Sequence, residues 1–526
     1  MAETRVREGV ACSLPWIVGL LSASYQLAFP LVIGRADESV LLVGATRIMA
    51  GDVIYRDFFE FLTPLGFYFY AAVFAVGGTM LLAARVAAAV ANAVTTGLVF
   101  ALACRIAGPL EAAVAALMVA VVCVPAWPYA SPHWLSTTLH LGVASVLLSE
   151  RLRESSRLRP AMAGVLGGTA FCVQQQRGVY IAAWAVTSIL VLAFDHPSPV
   201  RWRSARRDVA WLAAGGVGVT VLVLGYAAWA SSPRALYDAL VRFVFENYGR
   251  FVHPVPWASL AFLAKPWFAT LWPRVFRWAP VLLVVEGMTL LHAGLYSRFD
   301  RPERVRLCLL VLAMLSALSV RYFPDYVHVA YVMPFLLIPA ARVLQALRSL
   351  PMVPRSIARG TAICVSAALL VVLLAEGGES LARAREAAPL TIDSAFGTLQ
   401  GDADQARLVA AVRSAVDRDP PGERLLYAFP GDVWLYLAVG ARNPTPFAIL
   451  LAGYNSQAQF DEVLADVRRR RPGTLVVNTA IAPDGDPVRR ALERDYDVVA
   501  QLPGYRVYRR HDAAAPGGQP SAVGVE

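Results

Sequence analysis

Long apolar runs separated by short charged loops occupy the first 376 residues. They fall at 10–34, 66–83, 86–104, 109–125, 134–149, 161–176, 179–194, 209–230, 275–296, 307–321, 327–346 and 360–376. A helix needs about 20 such residues to cross the hydrocarbon core of a bilayer. The pattern therefore predicts an α-helical polytopic membrane protein with about 11–13 spans. The last run is short and crosses only if nearly upright. The first run also admits a cleaved signal peptide, with Ser22-Ala23-Ser24 as the cleavage region, but its apolar character continues to Ile33. No internal repeat is visible, which disfavours the repeat-built transporters.

Beyond residue 376 the periodicity changes. Residues 403–416 and 457–470 read as amphipathic helices, and 424–429, 474–478 and 505–508 as short strands. This predicts a multispan module at 1–376, with a first outer loop at 35–65. A small α/β domain follows at 377–512, and an Ala-, Gly- and Pro-rich disordered tail at 513–526.

Composition sharpens this division. The 526 residues are 57% hydrophobic and 16% charged, against about 25% charged in a soluble domain. A disordered chain and a secreted disulfide scaffold are excluded. Of the net charge of +10, residues 377–526 carry about −2, so the membrane module carries about +12. Its arginines cluster in loops at 151–159, 201–207, 298–306 and 348–359, alternating with loops at 174–178, 231–272 and 322–326. That alternation is an orientation signal and not a nucleic-acid signal: Arg-rich loops inside, the others outside. The carboxyl-terminal domain is then extracytoplasmic and the protein sits in the cytoplasmic (inner) membrane. With an inside amino terminus, the three runs between 66 and 125 break the parity, so either one of them is too short or too bent to cross, or the amino-terminal end is misplaced. The run of arginines at 468–471, before Pro472, reads as a solvated helix end. No Walker loop, HExxH or GxSxG context occurs.

The candidate chemistry lies in the first outer loop: Asp37-Glu38, Gly51-Asp52, Tyr55-Arg56-Asp57, Glu60 and Thr63-Pro64. A carboxylate just past a span sits at headgroup level, where a lipid-borne phosphate lies. Asp37 and Glu38 are adjacent, so on a helix they point about 100° apart and only one aims into a given site. By spacing alone, all of these acids also fit a solvated loop.

This loop, with the Phe/Tyr-rich run after it and Arg85, resembles the amino-terminal region of the GT-C membrane glycosyltransferases. These include the protein O-mannosyltransferases, the aminoarabinose transferase of lipid A and the lipopolysaccharide-core galacturonosyltransferases. The resemblance is closest over about residues 30–195. It implies transfer of a sugar from a polyprenyl-phosphate donor to a lipid, glycan or protein acceptor at the outer membrane face. Asp37 falls on the catalytic acid of the family's Asp-Glu pair, with Glu38 beside it, and Glu60 or Asp57 on the second acidic position. His133, after Ser131-Pro132, stands where many relatives have an acid, which leaves open a divalent metal as cofactor. Arg177, in Gln174-Gln175-Gln176-Arg177-Gly178, and Arg321, in Arg321-Tyr322-Phe323-Pro324-Asp325-Tyr326, fall on donor-phosphate positions; both also fit snorkelling interface anchors. Tyr248, Arg250 and Lys265 are candidate acceptor contacts in the loop 231–272. A multispan transporter or lipid flippase is the alternative, and it predicts ionisable residues in mid-span, whereas here they concentrate at span ends.

Overall fold

The computed structural model describes residues 2–34, 37–152, 157–248, 267–296, 299–321, 326–346 and 354–511. Every one of the twelve apolar runs lies on a helix. The helices are Ala2–Leu27, Leu65–Gly77, Leu81–Ala103, Pro109–Ala126, Pro132–Leu147, Leu158–Val173, Gln175–Leu192, Ser198–Ala230, Trp267–Tyr296, Arg301–Leu318, Tyr326–Ala346 and Arg355–Ala387. Among the described residues, six helices are long and apolar enough to cross a membrane on length and composition alone. The chain divides into two compact units. One comprises Met1–Leu31, Gly44–Arg56 and Glu60–Ala388, the other Val32–Val43, Asp57–Phe59 and Pro389–Glu526.

Polar contacts define two ends of the helical unit. At one end, Arg301 pairs with Asp195 and with Glu150 (2.8 Å), and Arg304 pairs with Asp195 at 2.7 Å. Arg105 donates to the Leu148 carbonyl at this same end. At the other end, Arg177 donates to the His133 carbonyl at 2.9 Å, and Thr63 donates to the Phe171 carbonyl at 2.9 Å. Arg85, in the second turn of Leu81–Ala103, donates to the Pro128 carbonyl at that end too. So Leu81–Ala103 starts at the Arg177 end and finishes, at Arg105, at the Arg301 end.

Helix Leu65–Gly77 starts beside Thr63 and hands over to Leu81, both at the Arg177 end, and its 13 residues rise only about 20 Å. Arg301 and Arg304 lie at the opposite end of the helical unit.

Close helix packing uses glycine. A Cβ on Gly168 would stand 2.5 Å from the Gly216 carbonyl oxygen, and one on Gly164 would collide with that of Leu212. Small residues four apart let helix backbones approach this closely, joining Leu158–Val173 to Ser198–Ala230.

Two expectations need correction. The final helix is not a minimal span: it runs 33 residues, Arg355–Ala387, past the expected boundary at 377. Nor are ionisable groups confined to helix ends. Glu286 (1% exposed) accepts from Arg306 Nε at 2.9 Å, and Arg306 Nη2 donates to Thr289 Oγ1 at 2.8 Å. The pair joins two sequential helices through a turn, a relationship that local hydropathy does not reveal.

The second unit carries a hairpin, β1 (Leu390–Ile392) with β2 (Leu399–Gly401), and a four-stranded sheet. The sheet holds β3 (Leu426–Phe429), β4 (Thr474–Asn478), β5 (Tyr496–Leu502) and β6 (Tyr505–Arg510), in the order β3-β4-β6-β5. Strands β3 and β4 are parallel; β4–β6 and β6–β5 are antiparallel. The expected helices Ala403–Val416 and Gln457–Arg470 both form, each starting from a capping box, Asp402 with Gln405 and Ser456 with Gln459, which satisfies otherwise orphaned backbone donors. Their apolar faces cover the sheet, with Val463, Leu475, Val477 and Leu492 in the core. Residues 513–526 lie outside the described residues.

Candidate functional site

The Arg177 end of the helical unit is organised by three consecutive side chains at the turn into helix Gln175–Leu192. Gln175 holds the first loop: its Nε2 donates to the Phe61 carbonyl at 2.7 Å, and its Oε1 accepts from Thr63 N at 3.1 Å. Gln176 Nε2 donates to the Ser319 carbonyl at 2.9 Å, which ties this turn to the end of helix Arg301–Leu318. Arg177 points inward and is 2% exposed. Its Nη1 donates to the His133 carbonyl and its Nη2 to Thr137 Oγ1, both at 2.9 Å, while Nε has no acceptor. Its guanidinium also lies 6.0 Å from the Phe335 ring centroid. Both acceptors are neutral. A buried guanidinium held only by neutral groups leaves positive charge uncompensated, which suits it to an arriving anion.

Arg321 lies in an exposed turn two residues after Ser319, so the two arginines belong to one end of the bundle, one accessible and one a layer deeper. His133 caps the layer: its ring stacks on Tyr331 at 4.6 Å and meets His328 edge-on at 5.1 Å. Tyr248 stacks on Phe61 at 4.8 Å, against the segment that Gln175 holds. Arg250 and Lys265 lie outside the described residues.

The loop acids part company. Asp37 and Glu38 open helix Asp37–Met49, where the helix dipole favours carboxylates. Asp37 is exposed, whereas Glu38 is fully buried and accepts the Gly34 N–H at 2.6 Å. Adjacent helical positions must diverge, and here one acid faces out while the other holds the approach to the helix. Glu60, in the helical unit, is 6% exposed and close to Tyr55. Burial, and then the Glu60 carboxylate, push the Tyr55 hydroxyl well above its usual phenol range. That hydroxyl donates to the Leu62 carbonyl at 2.6 Å. Asp57 belongs to the other compact unit, with Asp37 and Glu38.

No three His, Cys, Asp or Glu side chains among the described residues form a group fit to hold a metal. His133 engages aromatic rings, and Ser131 Oγ approaches its Nδ1 at 3.4 Å.

Sequence reasoning missed Thr137, Tyr331 and Phe335. Thr137 carried a signal, since it lies four residues after His133 on the same helix face. Tyr331 and Phe335 carried none, because nothing local links them to Arg177 more than 150 positions earlier. Arg85, quoted for the resemblance, proves to be buried, with its guanidinium 4.7 Å from the Tyr129 ring centroid.

No family model matches the sequence, and no curated protein sequence matches it. Solved structures do match in fold. ArnT from Cupriavidus metallidurans bound to undecaprenyl phosphate superposes with a TM-score of 0.60 at 16% identity, covering 97% of this chain and 99% of that one. Its apo state gives 0.56 at 16% identity, over 96% and 98%. The archaeal oligosaccharyltransferase AglB from Archaeoglobus fulgidus, in complex with an inhibitory peptide and a dolichol-phosphate, gives 0.54 at 12% identity, over 90% and 70%.

Proposed function

We propose, from the premise that this chain has the GT-C fold, that it is a membrane glycosyltransferase. It would move a sugar from a polyprenyl-phosphate donor to a lipid, glycan or protein acceptor. The observation that carries this reading is Arg177, a buried guanidinium with two neutral acceptors and an unused Nε. The ArnT structure is bound to undecaprenyl phosphate, and the AglB structure is in complex with an inhibitory peptide and a dolichol-phosphate. A phosphate on a lipid carrier is the anion that the Arg177 end would receive.

In this mechanism the exposed Arg321 meets the donor phosphate, and Arg177 below it adds fixed positive charge as the leaving phosphate becomes more anionic. Asp37, exposed on its helix terminus, serves as the base for the acceptor hydroxyl, within about 3 Å of the proton it removes. Glu38 supports that terminus and takes no part in proton transfer. Glu60 orders the segment that Gln175 fixes. The Arg177 end faces outside, because the Arg-rich loops at the opposite end favour the cytoplasm.

The transporter reading takes support from the buried Glu286–Arg306 pair. That pair is closed, with Thr289 completing it, and so behaves as a cross-link between helices rather than a vacant ion site.

Binding of undecaprenyl phosphate to purified protein tests the phosphate assignment. Arg321→Ala should weaken it by roughly 1.5–3 kcal/mol, the size of a hydrogen bond to a charged group, or about 10- to 150-fold. Arg321→Lys should restore only part, lacking the bidentate fork. Equal affinity of Arg321→Ala and wild type would remove Arg321 from the phosphate site.

A further inference from the structure

The arginine run at 468–471 does more than end a helix. Helix Gln457–Arg470 stops at Arg471, which takes a left-handed backbone conformation (φ 48°, ψ 62°). That conformation costs an L-residue of order 1 kcal/mol and is normally given to glycine. An arginine kept there lines a shallow, solvent-open cleft on the second compact unit. Arg468 from the helix and Arg510 from the end of β6 line the same cleft, with Asp495 and Tyr496. Arg510 is preset, since its Nη1 donates to the Arg471 carbonyl. Tyr496 is anchored by donating to the Pro472 carbonyl at 2.8 Å. Among the described residues, the side chains of Arg468 and Arg471 have no carboxylate partner. Of the neighbouring arginines, Arg469 pairs with Asp466 and Arg509 with Asp419.

We propose that this cleft binds a phosphate monoester. Three guanidinia against one carboxylate leave a lining charge near +2, matching the −1.5 to −2 of a monoester at neutral pH. Guanidinium forks suit its three oxygens. The site lies wholly within the sheet-bearing unit and is independent of the donor-phosphate reading above.

Arginine footprinting tests this with site resolution. Full-length protein in phosphatidylcholine nanodiscs is modified with phenylglyoxal, and the rate at each arginine is read by peptide mass spectrometry. Two probes separate the sources of the phosphate: inorganic phosphate, and dihexanoyl phosphatidic acid. Either probe should slow modification of Arg468, Arg471 and Arg510 at least 5-fold, while the exposed Arg470 and Arg490 keep their rates. Shielding by the lipid probe alone assigns a lipid headgroup, and shielding by both assigns the bare monoester. The variant Arg471→Gly keeps the left-handed turn without strain, so its thermal midpoint should not fall, yet shielding of Arg468 and Arg510 should drop at least 3-fold. Equal rates with and without both probes, or equal shielding of Arg470, would each overturn the proposal.

Discussion

The clamp made by Gln175 allows a worked perturbation. Its side chain makes three contacts with the first loop: Nε2 to Phe61 O at 2.7 Å, and Oε1 to Thr63 N at 3.1 Å and Thr63 Oγ1 at 3.4 Å. The first two are sound hydrogen bonds, and the third is at the edge of useful range. Gln175→Ala removes all three and strands a backbone acceptor and donor. At about 1 kcal/mol per neutral hydrogen bond, local opening of the segment becomes easier by about 2 kcal/mol. That corresponds to roughly 30-fold faster amide exchange, since the loop opens locally while the bundle stays folded. Exchange mass spectrometry on peptides covering residues 55–63 reads this directly, with the 81–103 helix as internal reference. Gln175→Glu separates the roles, because a carboxylate still accepts from Thr63 but repels the Phe61 carbonyl. It should give an intermediate rate. Unchanged exchange in Gln175→Ala would show that the loop is held by its own packing and would refute the clamp.

Two further outcomes follow from the structure. Burial raises the Tyr496 hydroxyl to about 12, so its neutral form stabilises the fold fully below pH ~10, the unfolded value, and that contribution is lost as pH rises from 10 to 12. Thermal melts should therefore show the gap between wild type and Tyr496→Phe shrinking over that window, and a constant gap would contradict it. A reporter active only outside the cytoplasm, fused after Arg510, should be active and a cytoplasmic one silent, because the Arg-rich loops favour the cytoplasm and the last helix then leads outward; the reverse would overturn the orientation.

Much of the helical unit was legible because a span must be apolar along its whole length, which is a one-dimensional property. Depth is not. Leu65–Gly77 reads like its neighbours in hydropathy, yet it has only 13 residues, and Thr63 before it and Arg85 after it both lie at the Arg177 end. Pairing across helices was equally hidden, as with Glu286 and Arg306. In the second unit β5 escaped notice because Val498 and Val499 are exposed, at 51% and 41%, so the edge strand lacks a clean alternation of inward and outward positions. At the candidate site the resemblance singled out four loop acids, Asp37, Glu38, Glu60 and Asp57, and geometry set the first two apart: Asp37 is exposed and Glu38 is buried on Gly34 N. The turn 174–178 was visible as a polar break in apolar sequence, but the partners of each side chain come from distant helices.

The central claim is that this chain transfers a sugar from a lipid phosphate using Asp37 as base. The direct measurement is radiolabel transfer by purified protein in liposomes, supplied with a panel of polyprenyl-phosphate sugars and membrane-extract acceptors, with Asp37→Asn alongside. One donor should give product with wild type, and Asp37→Asn should lose at least 100-fold, the lower end of what general base catalysis contributes, while inserting and binding undecaprenyl phosphate normally. Full transfer by Asp37→Asn would remove Asp37 from the chemistry, and no product from any donor would contradict the assignment as a glycosyltransferase.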